Sequence, residues 1–328
     1  MIPARAMAER RTDSLSGPER TGVLDAQSAV IVRLEDGRRL EVFAGGPADG
    51  TVLILHHGTP GCGMLYPGWI EPCAAREVRL VGYSRPGYGD SSRHAGRSVA
   101  DCAADVSAVA KAVGAERFYV VGHSGGGSHA LACAALLPER VLATAVIAAA
   151  APWNADGLDW LAGQLGENVA EFNAAVAGGE TLCRLLEEWR AEMLGEAPSG
   201  DEDAAGEGAD EAFASLISAP DRAVITPETW AFAGARRNHA LAPGIWGWFD
   251  DDLTETKPWG FDPTEISGPV SVWHGGHDRF VPFAHGRWLA ENIPHARPHL
   301  LDEEGHFSIV ERRMGEVVDD LIALASPR

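Results

Sequence analysis

Short apolar runs alternate with stretches of helical periodicity over most of the chain. Compact runs of β-forming residues, each closed by glycine, proline or polar residues, predict strands. Between them, apolar positions recur every three or four residues and predict helices at 98–113, 128–137 and 286–292. The predicted strands lie at 30–33, 38–43, 51–55, 79–82, 118–121, 142–149, 270–274 and 297–301. Strands that alternate with helices favour an α/β fold with a mostly parallel sheet and helices on both faces.

The pattern changes between residues 152 and 262, where strand-like runs give way to helical ones. This stretch is rich in acids and holds seven of the ten tryptophans. An insertion of this kind between two strands predicts a helical lid over one edge of the sheet, which is the edge where such sheets carry ligand sites. The core is then 28–151 and 263–328, with a mobile tail at 1–27. A low-complexity acidic loop is expected near 196–211.

Charge narrows the range of partners. The formal net charge is −20, which argues against nucleic acid because phosphate neutralisation needs clustered lysine and arginine. Between Glu187 and Glu211 ten acids stand against one base. Such a run is typical of a solvated surface, with an acidic docking surface as the alternative. The expected partner is a small-molecule substrate, and the sequence leaves the oligomeric state open.

Several features indicate a protein of the cytoplasm. The mean hydropathy is −0.09, and no stretch approaches the roughly 20 apolar residues of a membrane span. The N-terminus lacks the apolar segment of a secretory signal. The five cysteines are scattered, without CxxC pairs or Cys/His ligand spacing, which suits a reducing compartment and predicts no metal site.

The segment GHSGGG, residues 122–127, joins a predicted strand to a predicted helix. It fits G-x-S-x-G, in which a serine is held on a sharp turn and the flanking glycines avoid collision with the strand and the helix. A phosphate-binding loop is less favoured because neither GxGxxG nor Gly-Lys-Ser/Thr is present. A plain linker does not explain so abrupt a break. We therefore interpret Ser124 as a candidate nucleophile.

A serine nucleophile needs a base, and the base needs an acid to orient it. His306 follows the last predicted strand in EEGHFS, where a glycine frees the turn. Asp278 follows another strand in GGHDRFVP and is the favoured acid, with Asp156 as the runner-up. His123 adjoins the serine but is expected to point away from it across the turn. No organic cofactor is required for this chemistry.

Five motifs in order, HHGTPG, YSRPGYGDSS, GHSGGG, GGHDRFVP and EEGHFS, resemble those of the α/β-hydrolase superfamily. The resemblance implies an eight-stranded, mostly parallel sheet with a variable helical lid. It assigns Ser124 as nucleophile, His306 as general base and acid, and Asp278 as orienting acid. The H-G-x-P loop implies an oxyanion hole from the backbone N–H groups of Thr59 and Gly125, since the proline after Thr59 has no N–H to donate.

The nucleophile also narrows the reaction. Superfamily members that open epoxides or remove halogens use aspartate at the turn, whereas serine implies acyl transfer to water. We expect a serine hydrolase that cleaves carboxylic esters of small to medium apolar substrates. Carbon–carbon bond hydrolysis, acyl transfer to an alcohol and a non-catalytic binding protein of the same fold remain alternatives. The residues considered for the substrate pocket are Met64, Tyr83, Trp246 and Trp248, although tryptophans of the insertion could equally pack its helices onto the body.

Overall fold

A computed structural model describes residues 29–196 and 217–326 of the chain. The predicted N-terminal tail at 1–27 lies outside these residues. So does the predicted acidic loop, apart from its first residue, Glu196.

Eight strands form one mostly parallel sheet. Its order is β1-β2-β4-β3-β5-β6-β7-β8, with β2 antiparallel to both of its neighbours and all other pairs parallel. This confirms the fold predicted from the alternating pattern. The strands are β1 Val30–Arg33, β2 Arg39–Gly45, β3 Thr51–His56, β4 Val78–Tyr83, β5 Phe118–His123, β6 Val141–Ile147, β7 Val270–Gly275 and β8 Arg297–Leu301.

Five helices cover the two faces of the sheet. They are α1 Pro67–Ala74, α2 Cys102–Ala112, α3 Gly127–Leu136, α9 Phe283–Asn292 and α10 Ser308–Ala325. Successive strand residues point to opposite faces, so Leu53 and Leu55 join α1 and α10 in one core while Val52 and Ile54 join α2, α3 and α9 in the other. Burial on both faces explains why these strands read as continuous apolar runs.

Residues 152–262, called the insertion below, carry the remaining helices of the described chain. These are α4 Gly166–Ala177, α5 Gly179–Met193, α6 Ala219–Arg222, α7 Pro227–Leu241 and α8 Trp246–Glu255. The segment therefore supplies helices and no strand within its described part, and its service as a lid stays a prediction. None of the helices described is long and apolar enough to cross a membrane.

Candidate active site

The turn after β5 holds Ser124 in a strained backbone conformation. Its φ is +53°, in the left-handed region that residues with a side chain rarely adopt. Glycines make the turn possible, because a Cβ at Gly122 would collide with the carbonyl oxygen of Gly126, and one at Gly126 with that of His56. Ser124 is half-buried while the strand before it is buried, so the turn presents the serine at the carboxyl edge of the sheet.

Asp278 and His306 meet at the same edge, from the loops after β7 and β8. His306 Nδ1 donates to Asp278 Oδ2 over 2.8 Å. The other oxygen of Asp278 accepts the backbone N–H groups of Phe280 and Val281 at 2.9 and 2.8 Å. The carboxylate is thus held on both sides, which fixes the imidazole and leaves its Nε2 as the proton acceptor.

The electrostatics of this pair suit an acid–base role. Burial alone would raise the pKa of Asp278, but the charge and hydrogen bond of His306 hold it below its usual value. Burial alone would lower the pKa of His306, but Asp278 raises it above the ordinary 6.5. Asp278 therefore stays ionised and stabilises the imidazolium that forms when His306 accepts a proton.

His123, expected to point away from the serine across the turn, packs against His306. Its ring lies 4.9 Å from that of His306, centroid to centroid, and its Nε2 donates to the His306 carbonyl over 3.0 Å. Burial and the neighbouring His306 lower the pKa of His123 to about 3, so the ring is neutral near pH 7. Since Ser124 follows it directly, His123 ties the loop of the predicted base to the predicted nucleophile.

The loop after β3 lies against the serine turn from the other side. A Cβ at Gly58 would stand 3.4 Å from Ser124 Cβ, and one at Gly125 would stand 3.5 Å from the backbone nitrogen of Thr59. Gly58, Thr59 and Gly125 are all half-buried. The two residues predicted to form the oxyanion hole are therefore neighbours beside the nucleophile, although their role stays a prediction.

Residues 57–60 are called the oxyanion loop below, after their predicted role. Arg85, from the loop after β4, holds this loop from the interior. Its guanidinium donates to the carbonyl oxygens of His57 and Gly58, and over 2.9 Å to Thr59 Oγ1. The Arg85 backbone N–H donates to His57 Nε2 over 3.0 Å, so the Nδ1 of that ring carries the proton and donates to Gly58 O over 2.7 Å. These bonds fix the peptide units around Thr59.

Asp251, on α8 of the insertion, neutralises Arg85. Its Oδ2 accepts from Arg85 Nη2 at 2.6 Å, from Thr59 Oγ1 at 2.8 Å and from the Tyr88 hydroxyl at 2.9 Å, while its Oδ1 accepts from Arg97 Nη2 at 2.7 Å. Burial alone would raise the pKa of Asp251, but Arg85 and Arg97 hold it well below its ordinary value. The insertion thus contributes a fully buried carboxylate beneath the oxyanion loop. Sequence reasoning did not single out this residue.

Asp221, on α6, anchors the loop that carries His306, the predicted base. Its carboxylate accepts the backbone N–H groups of His306, Phe307 and Ser308 at 3.1, 2.8 and 2.9 Å, and the Ser218 hydroxyl at 2.7 Å. It therefore caps the start of α10 and fixes the backbone of His306. The sequence signal was the serine three residues before this acid, a pattern common at helix starts.

Two of the residues considered for a substrate pocket are buried in the interior. Tyr83 is fully buried in the α2/α3 core with its hydroxyl on His56 Nδ1, and Trp248 is 1% exposed with its indole N–H on Glu171. Both are corrections, because side chains that fill the interior offer no surface to a ligand.

Trp246 lies at the surface, 39% exposed, under the guanidinium of Arg93 at 4.1 Å, and its contact with substrate stays a prediction. Met64 is 8% exposed in the core cluster that includes Trp69, and its contact with substrate stays a prediction. The runner-up acid Asp156 is exposed, with its carbonyl on the Trp288 indole, while Asp278 occupies the place beside His306.

The fold and this arrangement define a protein of α/β-hydrolase type, and the family comparison agrees. The sequence profile of the alpha/beta hydrolase fold matches residues 51–312. The chain belongs to this family.

Curated relatives give the range of activities nearby. A bifunctional esterase/perhydrolase from Acinetobacter calcoaceticus is 30% identical over 77% of this chain and 83% of its own length. A 2-hydroxy-6-oxo-6-phenylhexa-2,4-dienoate hydrolase from Burkholderia cepacia is 27% identical over 78% and 81%. The chain spans only 37% of another relative, a dihydrolipoyllysine-residue acetyltransferase component from Pseudomonas putida, at 31% identity over 45% of this chain. Hydrolysis is the class of activity that the two longer matches support.

Among solved structures, a thermophilic esterase from Thermogutta terrifontis superposes with a TM-score of 0.64. The superposition covers 92% of this chain and all of the other at 18% identity, which is a likeness of fold.

Proposed function

We propose that the protein hydrolyses carboxylic esters through an acyl-enzyme on Ser124, with His306 as general base and acid and Asp278 as orienting acid. The observation that carries the proposal is the strained, half-buried Ser124 with loops on both sides. On one side are the loops of Asp278 and His306, which form a hydrogen-bonded pair, and on the other is the loop that carries Thr59. A turn with positive φ costs on the order of 1–3 kcal/mol, and such strain clusters at functional sites.

In the proposed reaction His306 Nε2 takes the hydroxyl proton as Ser124 Oγ bonds to the ester carbonyl carbon. The carbonyl oxygen becomes an oxyanion and accepts the N–H groups of Thr59 and Gly125. Collapse breaks the bond to the alkoxy group, to which His306 returns the proton, leaving an acyl-serine and a free alcohol. Water then attacks the acyl-serine by the same route and releases the acid and the free enzyme.

Carbon–carbon bond hydrolysis is the second candidate, because one relative is named as a 2-hydroxy-6-oxo-6-phenylhexa-2,4-dienoate hydrolase. The same nucleophile and base would serve, and the leaving group would be a carbon rather than an oxygen. Product analysis on a panel of esters, lactones, amides and diketones separates the two reactions.

The test of the nucleophile compares wild type with Ser124→Ala, using p-nitrophenyl butyrate and a fluorophosphonate probe. We expect the variant to lose both hydrolysis and labelling. Ser107→Ala, on the half-buried face of α2, is the matched control and should keep both. Normal labelling of the Ser124→Ala protein would assign the reactive serine elsewhere and end the proposal.

A further inference from the structure

A cation beside the oxyanion loop has no acidic partner in the described chain. Arg236 lies half-buried on α7, and its Nη2 donates to the carbonyl oxygen of Cys62 over 3.0 Å. No carboxylate within 29–196 and 217–326 forms an ion pair with it. Arg85 and Arg97 share Asp251 and Arg93 binds its own aspartate, whereas the adjacent Arg237 also forms no ion pair in the described chain.

The surroundings of Arg236 are apolar and leave hydrogen-bonding capacity unused. The guanidinium lies 5.1 Å from the ring centroid of Trp69 and 5.8 Å from that of Phe232. Its Nε is buried, with no partner in the part of the chain described. The charge of Glu311 raises the pKa of Arg236, but Glu311 Oε1 accepts the Trp69 indole N–H over 3.0 Å instead of pairing with the guanidinium. Burial accordingly lowers the pKa of Arg236.

Arg236 is also placed at the site of the proposed reaction. Cys62, which it contacts, is three residues beyond Thr59. The hydrogen bond to the Cys62 carbonyl therefore places the guanidinium beside the loop that carries Thr59, and it does so at the cost of an unneutralised charge.

We propose that Arg236 binds a carboxylate of the substrate, so that the preferred esters carry a free acid at the far end of an apolar chain. This inference rests on the proposed ester hydrolysis and refines its substrate. A planar guanidinium with free N–H groups binds carboxylates in a fixed geometry. Phe232, which is half-buried beside the guanidinium, offers apolar surface to the methylene groups between the ester and the acid. In a chain of net charge −20, a local cation also offsets the general repulsion of an anionic substrate.

The test compares half-esters with diesters of the same acid, so that the two substrates differ mainly in one charge. Monoethyl and diethyl succinate, glutarate and adipate are assayed by pH-stat titration with wild type, Arg236→Gln, Arg236→Lys and Arg237→Gln. Arg237 is the matched control because it is the next residue of the same helix and is also half-buried, whereas the recorded hydrogen bonds between this helix and Cys62 are those of Arg236.

We expect wild type to favour a half-ester at one chain length. Arg236→Gln should lower kcat/KM for that half-ester by about 10- to 100-fold, as loss of a charged hydrogen bond does, with little change for the diester. Arg236→Lys should recover part of the loss, and Arg237→Gln should behave as wild type. Equal effects of Arg236→Gln on both esters, or an equal loss in Arg237→Gln, would overturn the inference while leaving ester hydrolysis intact.

A wild type inactive on every ester would instead end the proposed function. The inference is then decided by calorimetric titration with the half-esters. A Kd unchanged in Arg236→Gln overturns it, and a Kd weakened about 10-fold or more supports it.

Discussion

Asp251 is the residue whose loss should most disturb the link between the insertion and the body. Two buried guanidinium groups depend on it, and two further donors of Arg97, Nε and Nη1, find no other partner in the described chain. Asp251→Asn preserves the shape and one acceptor oxygen but removes the charge. Removing one member of a buried ion pair costs about 3–5 kcal/mol, because the remaining charge stays desolvated. At about 2 °C per kcal/mol for a large chain, Tm should fall by about 6–10 °C.

The assay is equilibrium unfolding in urea followed by tryptophan fluorescence and circular dichroism, with coincident curves as the check on two-state behaviour. Asp250→Asn is the matched control, since it changes the adjacent aspartate of α8, whose partner Arg93 is 33% exposed. Asp250 is itself buried, but Arg93 stays partly hydrated when the charge is removed, so this loss should cost clearly less than that of Asp251. If the two variants unfold within 1 kcal/mol of each other, the fully buried pair contributes no more than the partly exposed one and the reasoning is wrong.

The remaining predictions concern the site itself. His306 must be neutral to accept a proton, and Asp278 raises its pKa, so the acidic limb of the pH profile of kcat/KM should have its midpoint above pH 6.5. In Asp278→Asn, kcat should drop by about a thousandfold or more, and the midpoint of any residual acidic limb should move to lower pH. A wild-type limb below pH 6.5 would contradict this. Asp221→Asn should weaken three backbone hydrogen bonds to the His306 loop, and kcat should therefore fall about tenfold. The midpoint of the acidic limb should again move to lower pH, because Asp221 also raises the pKa of His306. A purely structural role would lower Tm without moving this midpoint. Trp246→Ala should leave kcat/KM on p-nitrophenyl butyrate within about twofold and cost about 1 kcal/mol or less in urea unfolding, because it removes a surface contact with Arg93; a large rise in KM would return Trp246 to the substrate site.

The sheet and the serine turn were predictable because their signals are local. Each strand is a short apolar run, and GHSGGG carries within six residues the glycines that its own turn needs. The loops holding Asp278 and His306 could be placed because parallel strands bring their carboxyl ends to one edge.

Asp221 and Asp251 were not predictable in the same way. Their partners are 85 and 166 residues away, in the loops of His306 and Arg85. Nothing in the helical periodicity of the insertion indicates which of its many acids will be buried. The role of the tryptophans was hard to predict for a related reason, since an aromatic side chain suits both a pocket wall and helix packing. Trp248 packs in the core.

The two aspartates of the insertion also bear on how a substrate can enter. Asp251 is joined to the oxyanion loop and Asp221 to the loop of the base, so the insertion is fastened on both sides of Ser124. An outward rigid-body movement of the insertion would break a buried ion pair and three backbone hydrogen bonds at the same time. We therefore expect substrate to enter without a rigid-body movement of the insertion. Transplanting an insertion from a relative would then require both aspartates to travel with it.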